Sequence, residues 1–496
     1  MISQALLEAR KYEEAFGPEK GGEEKPAFHL TPRVGWMNDP NGFCFYQGKY
    51  HLFYQYYPYE SKWNDMHWGH AVSEDLLHWE YLPAALAPDR PYDYSGCFSG
   101  SAIELPDGRH LLMYTGVRLE RGEDAKRHEI QTQCIAIGDG VDYEKYAGNP
   151  VLDEKDLPEG NSRFDFRDPK ILPWKDGKYL VLLGSRPADG SGEILIYESR
   201  DCLHWSYVGP LVSNRNRFGK MWECPDFFPL DGKWVLLTSP QDMLPRGFEY
   251  HNGNGTLCLI GDLDEETLTF TDEKDQAVDY GIDFYASQTV LTQDGRRVMI
   301  GWMQNWDACA IREPEEPWAG QMSLPRELSL RDGRLYQWPI RELLALRRNE
   351  VSYENQVISG KQVLPGIEGR VIDMELTVSA VPGQPIYQKF SIFFAENEEY
   401  HTGISFRPAE STLKVDRKFS GSRRAIIHQR RAKVMEKDGQ VKLRIILDRY
   451  SVEVFVGEGE QALSAALYTE QAARGISFAA VGGEALLSVK KWDLAE

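Results

Sequence analysis

Residues 223–234 read Glu223-Cys224-Pro225-Asp226-Phe227-Phe228-Pro229-Leu230-Asp231-Gly232-Lys233-Trp234. A carboxylate is followed nine residues later by a glycine turn, then by a basic residue and another apolar run. The arrangement occurs twice more: Asp39 precedes Gly48 by nine residues and Asp168 precedes Gly177 by nine. Asp-Gly or Gln-Gly between apolar runs signals a β-hairpin, because glycine accepts the positive φ such a turn requires. Five such turns occur between Phe28 and Pro339: Gln47-Gly48, Asp107-Gly108, Asp176-Gly177, Asp231-Gly232 and Asp294-Gly295, with glycines 60, 69, 55 and 63 residues apart. A second repeat supports the period: Ser73-Glu74-Asp75-Leu76-Leu77-His78-Trp79 is echoed by Ser199-Arg200-Asp201-Cys202-Leu203-His204-Trp205.

Five all-β units of this length predict a five-bladed β-propeller, since radial repetition protects sheet edges. The alternative is an irregular sandwich in which Asp-Gly turns are merely common. The constant offset favours the ring. If the units share a register, the acids share a position, and packing in a ring makes Asp39, Asp168 and Glu223 converge on its axis. At that position unit two carries Ser99 and unit five Ala286.

The all-β reading extends to the rest of the chain. Residues 3–15 read as a short helix capped by Ser3, with Leu6, Leu7 and Tyr12 as its apolar stripe. Gly17 to Lys25 reads as a linker. After about Glu350, segments such as 371–378, 443–447 and 452–456 alternate with period two, as half-buried antiparallel strands of a β-sandwich do. The expected organisation is a helix and linker over residues 1–27, a propeller over 28–340, a linker over 341–350 and a sandwich over 351–496.

Composition excludes several classes. A formal net charge of −20 disfavours nucleic acid or an anionic membrane as partner. No apolar run approaches the roughly 18 residues of a membrane span, and the N-terminus has no signal-peptide core. The seven cysteines are odd in number and show no C-x-x-C pair. They fit free thiols in a reducing compartment, so a cytoplasmic protein is expected.

Converging carboxylates are what glycosidic cleavage needs: one attacks the anomeric carbon or activates water, and a protonated one serves the leaving oxygen. Asn38, Asn41 and Gly42 around Asp39, and Arg167 beside Asp168, would hold those two acids ionised. Trp222, Cys224 and Pro225 suggest a more apolar setting for Glu223, which suits a proton donor. His67 and His70 lie three apart on an expected strand and face opposite sides, a poor metal pair. No phosphate loop or dinucleotide fingerprint occurs, and no metal or cofactor is expected.

The motifs together resemble glycoside hydrolase family 32, the invertase and β-fructofuranosidase family. They are Trp36-Met37-Asn38-Asp39-Pro40-Asn41-Gly42, Gln55, Trp63 with Met66-His67-Trp68-Gly69-His70, Phe98-Ser99-Gly100, Arg167-Asp168-Pro169, Glu223-Cys224-Pro225-Asp226, and Trp318 with Ser323-Leu324-Pro325-Arg326. The resemblance spans nearly the whole chain and implies a five-bladed propeller followed by a β-sandwich. It also implies a retaining hydrolase of terminal β-fructofuranosides. By motif, Asp39 is then the nucleophile, Glu223 the acid/base and Asp168 the transition-state stabiliser. Asn38, Gln55, Trp63, Phe98, Ser99 and Arg167 line the fructose pocket. Tyr285 and Trp318 are further pocket candidates, with core packing the alternative for each.

The expected substrate is sucrose or sucrose 6-phosphate, with short inulin- or levan-type fructans as the alternative within the class. A propeller that binds sugar without cleaving it is the alternative outside it. Ser213-Asn214-Arg215-Asn216-Arg217-Phe218-Gly219-Lys220 carries three basic residues just before Glu223. It reads either as a 6-phosphate contact or as an ordinary solvated loop. The sandwich offers a surface for homo-oligomer pairing.

Overall fold

The computed structural model describes residues 2–17, 25–121, 126–308, 317–421 and 427–495. Residues 18–24 of the expected linker, and Cys309, lie outside the described residues. Residues 35–339 form five antiparallel sheets arranged as the blades of a propeller. Their innermost strands are Gly35–Tyr46, Gly96–Glu104, Phe166–Pro173, Trp222–Leu230 and Tyr285–Leu291, in blades I to V. Trp318–Ala319 leaves blade V and pairs in parallel with Gly35 and Trp36, closing the ring onto blade I.

One device joins each blade to the next: a side chain on an inner strand accepts a backbone N–H from the following inner strand. Asn41 accepts from Gly100, Ser101 from Ile171, Asp168 from Cys224, Asp226 from Thr289, and Gln288 from Phe43. The five bonds run in one sense around the axis. They satisfy N–H groups that the in-blade ladders leave open, which a buried strand requires. Polar residues at the centre of the propeller are therefore part of its framework, and the apolar cores lie between the sheets.

The N-terminal helix is Gln4–Phe16, with Ser3 Oγ accepting from the Leu6 N–H. Its buried stripe is Leu6, Ala9 and Glu13 rather than the expected Leu6, Leu7 and Tyr12; Leu7 is exposed. Positions three and four apart share a helix face, and Leu7 falls outside that stripe. Glu13 is buried on the edge strand of blade I, where its carboxylate accepts from the Ala84 N–H. Burial raises its pKa to about 7 against that hydrogen bond.

A 3-10 turn, Arg341–Leu346, leads directly into the 16-residue strand Arg347–Gln362. The C-terminal domain is a β-sandwich made from one sheet curled over on itself. The 20-residue strand Gly475–Leu494 belongs to both layers. It pairs with Lys389–Glu396 before Gly482-Gly483 and with Ile372–Ala380 after them. Both glycines have positive φ at this corner, where a strand changes layer. Buried charge binds the sandwich to the propeller. Arg326 is paired with Asp279 and Glu453, and His29 lies between Asp448 and Glu453. Burial depresses His29, but the two carboxylates outweigh it and raise its pKa to about 9.

Candidate active site

Each inner strand carries one extra residue near its start relative to the strand beside it. Such a β-bulge bends the strand and re-aims its side chains. In blades III, IV and V the bulges match. Arg167, Glu223 and Tyr285 come first; Asp168, Cys224 and Ala286 come second, all with left-handed φ of 64°, 50° and 54°. The acids therefore do not share one register position. Glu223 corresponds to Arg167, one place before Asp168, while Asp39 is the third residue of the blade I bulge. The equal nine-residue count misleads because the hairpins and the paired stretches both differ between blades, blade I carrying a second bulge between Asn41 and Cys44. Two residues join the paired strands in blades I and IV, and five do so in blade III. Convergence survives the correction, since all three acids sit in bulges that open on the axis.

Two connected groups result. In the first, Asp39 Oδ1 accepts from Asn38 Nδ2 at 3.0 Å, and its Oδ2 accepts from Ser99 Oγ at 2.7 Å and from Cys224 Sγ at 3.4 Å. Asn38 is itself fixed by Trp36 Nε1 at 2.7 Å. In the second, Glu223 Oε1 accepts from Arg167 Nη2 and Nε at 3.0 and 3.2 Å, and Oε2 accepts from Tyr285 OH at 2.5 Å. Asp168 joins the two groups: its Oδ2 accepts from the Cys224 N–H at 2.9 Å and lies 3.7 Å from Cys224 Sγ.

Arg167 thus serves Glu223 rather than Asp168, whose nearest approach to the guanidinium is 4.0 Å. The expectation of an apolar setting for Glu223 is overturned as well, because Trp222 is turned into the core, where its Nε1 donates to the Phe218 carbonyl. Neighbours along a strand point to opposite faces.

Burial raises the Asp39 pKa, opposed by the Asn38 hydrogen bond and reinforced by Glu223. Burial also raises Asp168 to about 7, against the pull of Arg167 and with the push of Glu223 and Asp39. The Cys224 thiol is pushed well up, by burial first and then by the three carboxylates. It is a packed hydrogen-bond donor and not a thiolate.

These residues line a cavity of about 420 Å³, within the range that holds a small organic ligand. Asn38, Asp39, Gln55, Trp63, Phe98, Ser99, Arg167, Asp168 and Glu223 all contribute to its wall. Gln55 is held by donation to the Cys97 carbonyl at 2.9 Å, and Trp63, 42% exposed, meets Phe98 edge-on at 5.9 Å. Glu129, Gln131, Phe164, Asp165, Gln241, Asn254 and Trp306 line it too; none of these was singled out from the sequence. Among the described residues no cluster of His, Cys, Asp and Glu has the arrangement of a metal site. His67 bonds the Asp65 carbonyl, and His70 bonds His51.

The family 32 N-terminal domain model, described as glycosyl hydrolases family 32 N-terminal domain, matches residues 29–339, and the family 32 C-terminal model matches residues 342–493. The chain belongs to glycosyl hydrolase family 32. It is a β-fructofuranosidase-type glycosidase. Family 32 relatives align end to end with it. A raffinose invertase of Escherichia coli is 36% identical over 98% of both chains. A sucrose-6-phosphate hydrolase of Zymomonas mobilis is 34% identical over 95% of this chain and 92% of its own. Among solved structures, the Bombyx mori GH32 beta-fructofuranosidase BmSUC1 superposes with a TM-score of 0.84 at 34% identity, covering 99% of this chain and 98% of its own.

The two further pocket candidates, Tyr285 and Trp318, are not among the residues lining the cavity. Tyr285 is 1% exposed and reaches the site only through its hydroxyl on Glu223. Trp318 is 2% exposed on the ring-closing strand and packs edge-on at 5.5 Å against Tyr450 of the sandwich. The indole of Trp318 thus faces the domain interface.

Proposed function

We propose that this family 32 enzyme hydrolyses terminal β-fructofuranosides of the sucrose type with retention, using Asp39 as nucleophile, Glu223 as acid/base and Asp168 as a support for the fructosyl group. The observation that carries the assignment is the division of the cavity into two acid centres. Asp39 has its donors in blades I, II and IV, while Glu223 is clamped between Arg167 and Tyr285. A retaining glycosidase needs two carboxyl groups with separate tasks and separate surroundings.

In the first step Glu223 gives a proton to the glycosidic oxygen as the Asp39 carboxylate attacks the anomeric carbon. The bond to the leaving sugar breaks and a fructosyl ester forms on Asp39. In the second step Glu223 takes a proton from water, the water oxygen bonds to the anomeric carbon, and the ester breaks to regenerate Asp39. Asp168 accepts hydrogen bonds from fructose hydroxyls, and Asn38, Gln55, Ser99 and Phe98 enclose the ring, with Trp63 at its edge. The buried free thiols Cys97, Cys134, Cys202, Cys224 and Cys258 support work in a reducing compartment.

The test is fructose release from sucrose, followed by NMR to see which anomer appears first. The β-anomer is expected; initial α-fructose would contradict the nucleophilic role of Asp39. A chain-length series from sucrose to short fructans, compared by kcat/KM, ranks the substrates within the class.

A further inference from the structure

We propose that the site is built for an uncharged leaving group, so that neutral sucrose-type glycosides are processed far better than the same sugars carrying a phosphate on the leaving hexose. This rests on the assignment of the cavity as the fructoside site and narrows its substrate class.

The argument begins with the charge on the wall. Among the described residues lining the cavity, Asp39, Glu129, Asp165, Asp168 and Glu223 are acidic, and Arg167 is the one cation. Arg167 is already committed. Its Nε and Nη2 donate to Glu223, and its Nη1 donates to Gln131 and Asp165, both at 3.3 Å. Asp165 is engaged from its other side by Arg186 at 2.8 Å.

The direction of the leaving group follows from the chemistry. Asp39 lies beside Asn38, Ser99 and Phe98, so fructose occupies that end. The leaving oxygen receives its proton from Glu223, and the departing hexose meets the rest of the wall, where Glu129 and Asp165 are the charged groups beside Gln131, Gln241 and Asn254. A phosphate monoester carries a charge of about −1.5 to −2 near neutral pH. Placed there it meets carboxylates across low-dielectric walls that strengthen the repulsion.

The basic loop before Glu223 does not offset this: none of its three cations lines the cavity, exposed Arg215 included. Arg217 is held by Asp272 at 2.7 Å and lies over Phe218, and Lys220 Nζ donates to Asn216 at 3.1 Å. The loop touches the cavity lining through its backbone, where the Lys220 N–H donates to the Gln241 carbonyl at 2.7 Å. Hydroxyl groups of a neutral hexose, by contrast, suit a wall of carboxylate and amide acceptors.

The experiment compares kcat/KM for sucrose and sucrose 6-phosphate at about 20 and about 200 mM salt, where screening of exposed charge differs strongly. The expected result is a preference for sucrose of about tenfold or more at low salt, with the phosphorylated sugar improving as salt rises. Equal or better use of the phosphorylated sugar would overturn the inference. So would a phosphate rate that falls with salt, as attraction to a cation demands, or one that does not move, as simple steric exclusion demands. Glu129→Gln should raise the phosphate-to-sucrose ratio several-fold, and an unchanged ratio counts against the proposal; if that variant does not fold, the salt series still decides. Fructose from neither of these sugars nor from a short fructan would defeat the underlying site assignment, a result distinct from a reversed preference.

Discussion

Arg167 and Glu223 occupy the same bulge position in adjacent blades, and the guanidinium of the first donates twice to the carboxylate of the second, at 3.0 and 3.2 Å. Tyr285, at that position in the following blade, closes on the other carboxylate oxygen. Three consecutive blades thus use one structural slot to build one hydrogen-bonded row. The proton donor proposed here is held from both sides by framework strands, not by loops, which favours a fixed carboxyl direction.

Replacing either proposed catalytic carboxylate tests the division of labour. Glu223→Gln should lower kcat on sucrose by about 10²–10⁴-fold. It should lose far less on an aryl fructoside, whose leaving oxygen needs little protonation. Asp39→Asn should be equally damaging on both substrates. Steady-state kinetics with the two leaving groups separate the roles, and circular dichroism checks that both variants fold.

Tyr285→Phe removes a 2.5 Å hydrogen bond to Glu223 while keeping the buried ring. Hydrogen bonds to charged groups contribute about 1.5–3 kcal/mol, so kcat should fall about ten- to a hundredfold. KM for sucrose should change little, because the ring does not line the cavity. A rise in KM at constant kcat would instead make Tyr285 a substrate contact.

Asp168 carries a stability cost that depends on pH. Its pKa is raised from 3.8 to about 7 in the folded chain. Between those values the folded state keeps a proton the unfolded state has lost, so stability falls as pH rises through the window and the whole penalty stands above it. Asp168→Asn retains an acceptor for the Cys224 N–H and cannot ionise. Thermal melts should show the variant more stable than the parent by about 1–3 kcal/mol at pH 8, with the gain shrinking toward pH 4, while activity is lost. A gain that grows on acidification would reverse the sign of the shift.

Gly320 follows the ring-closing strand with φ of 92°, and a β-carbon there would meet the Met37 carbonyl oxygen at 2.0 Å. Met37 begins the bulge that carries Asn38 and Asp39. Gly320→Ala should therefore destabilise by about 1–3 kcal/mol or more through strain and displacement, and lower kcat by moving Asp39. A melt and a sucrose assay on the same sample check both effects.

The fold was legible in the sequence because a propeller writes its period in turn chemistry. Each Asp-Gly or Gln-Gly marks a hairpin between the first two strands of a blade, and the blade count follows. The three acids were legible as a set for the same reason. Their relative placement was not. Glycine turns record where a hairpin bends but not how many residues bridge it, so Glu223 and Asp168 fall one position apart. The partner of Arg167 was equally hidden. The chain places Arg167 beside Asp168, whereas the ring places its guanidinium on Glu223 of the next blade. Glu129 and Gln131 come from the third strand of blade II, Arg127–Gly138, and no motif marks residue types so common on surfaces. Trp318 shows the converse: its motif is conspicuous in the sequence, yet its indole packs on Tyr450.

The pairing of Gly35 and Trp36 with Trp318 and Ala319 sets an order of events during synthesis. Blade I can fold on itself as soon as its hairpins are made, yet the partner that locks its inner edge is translated about 280 residues later. Contacts of such sequence separation form slowly, and an N-terminal segment on the ribosome waits with that edge unpaired. Until residue 319 emerges, the strand that carries Asp39 lacks the partner of Gly35 and Trp36, three residues before that carboxylate. The seam of the ring is therefore the last partner that the first propeller strand receives.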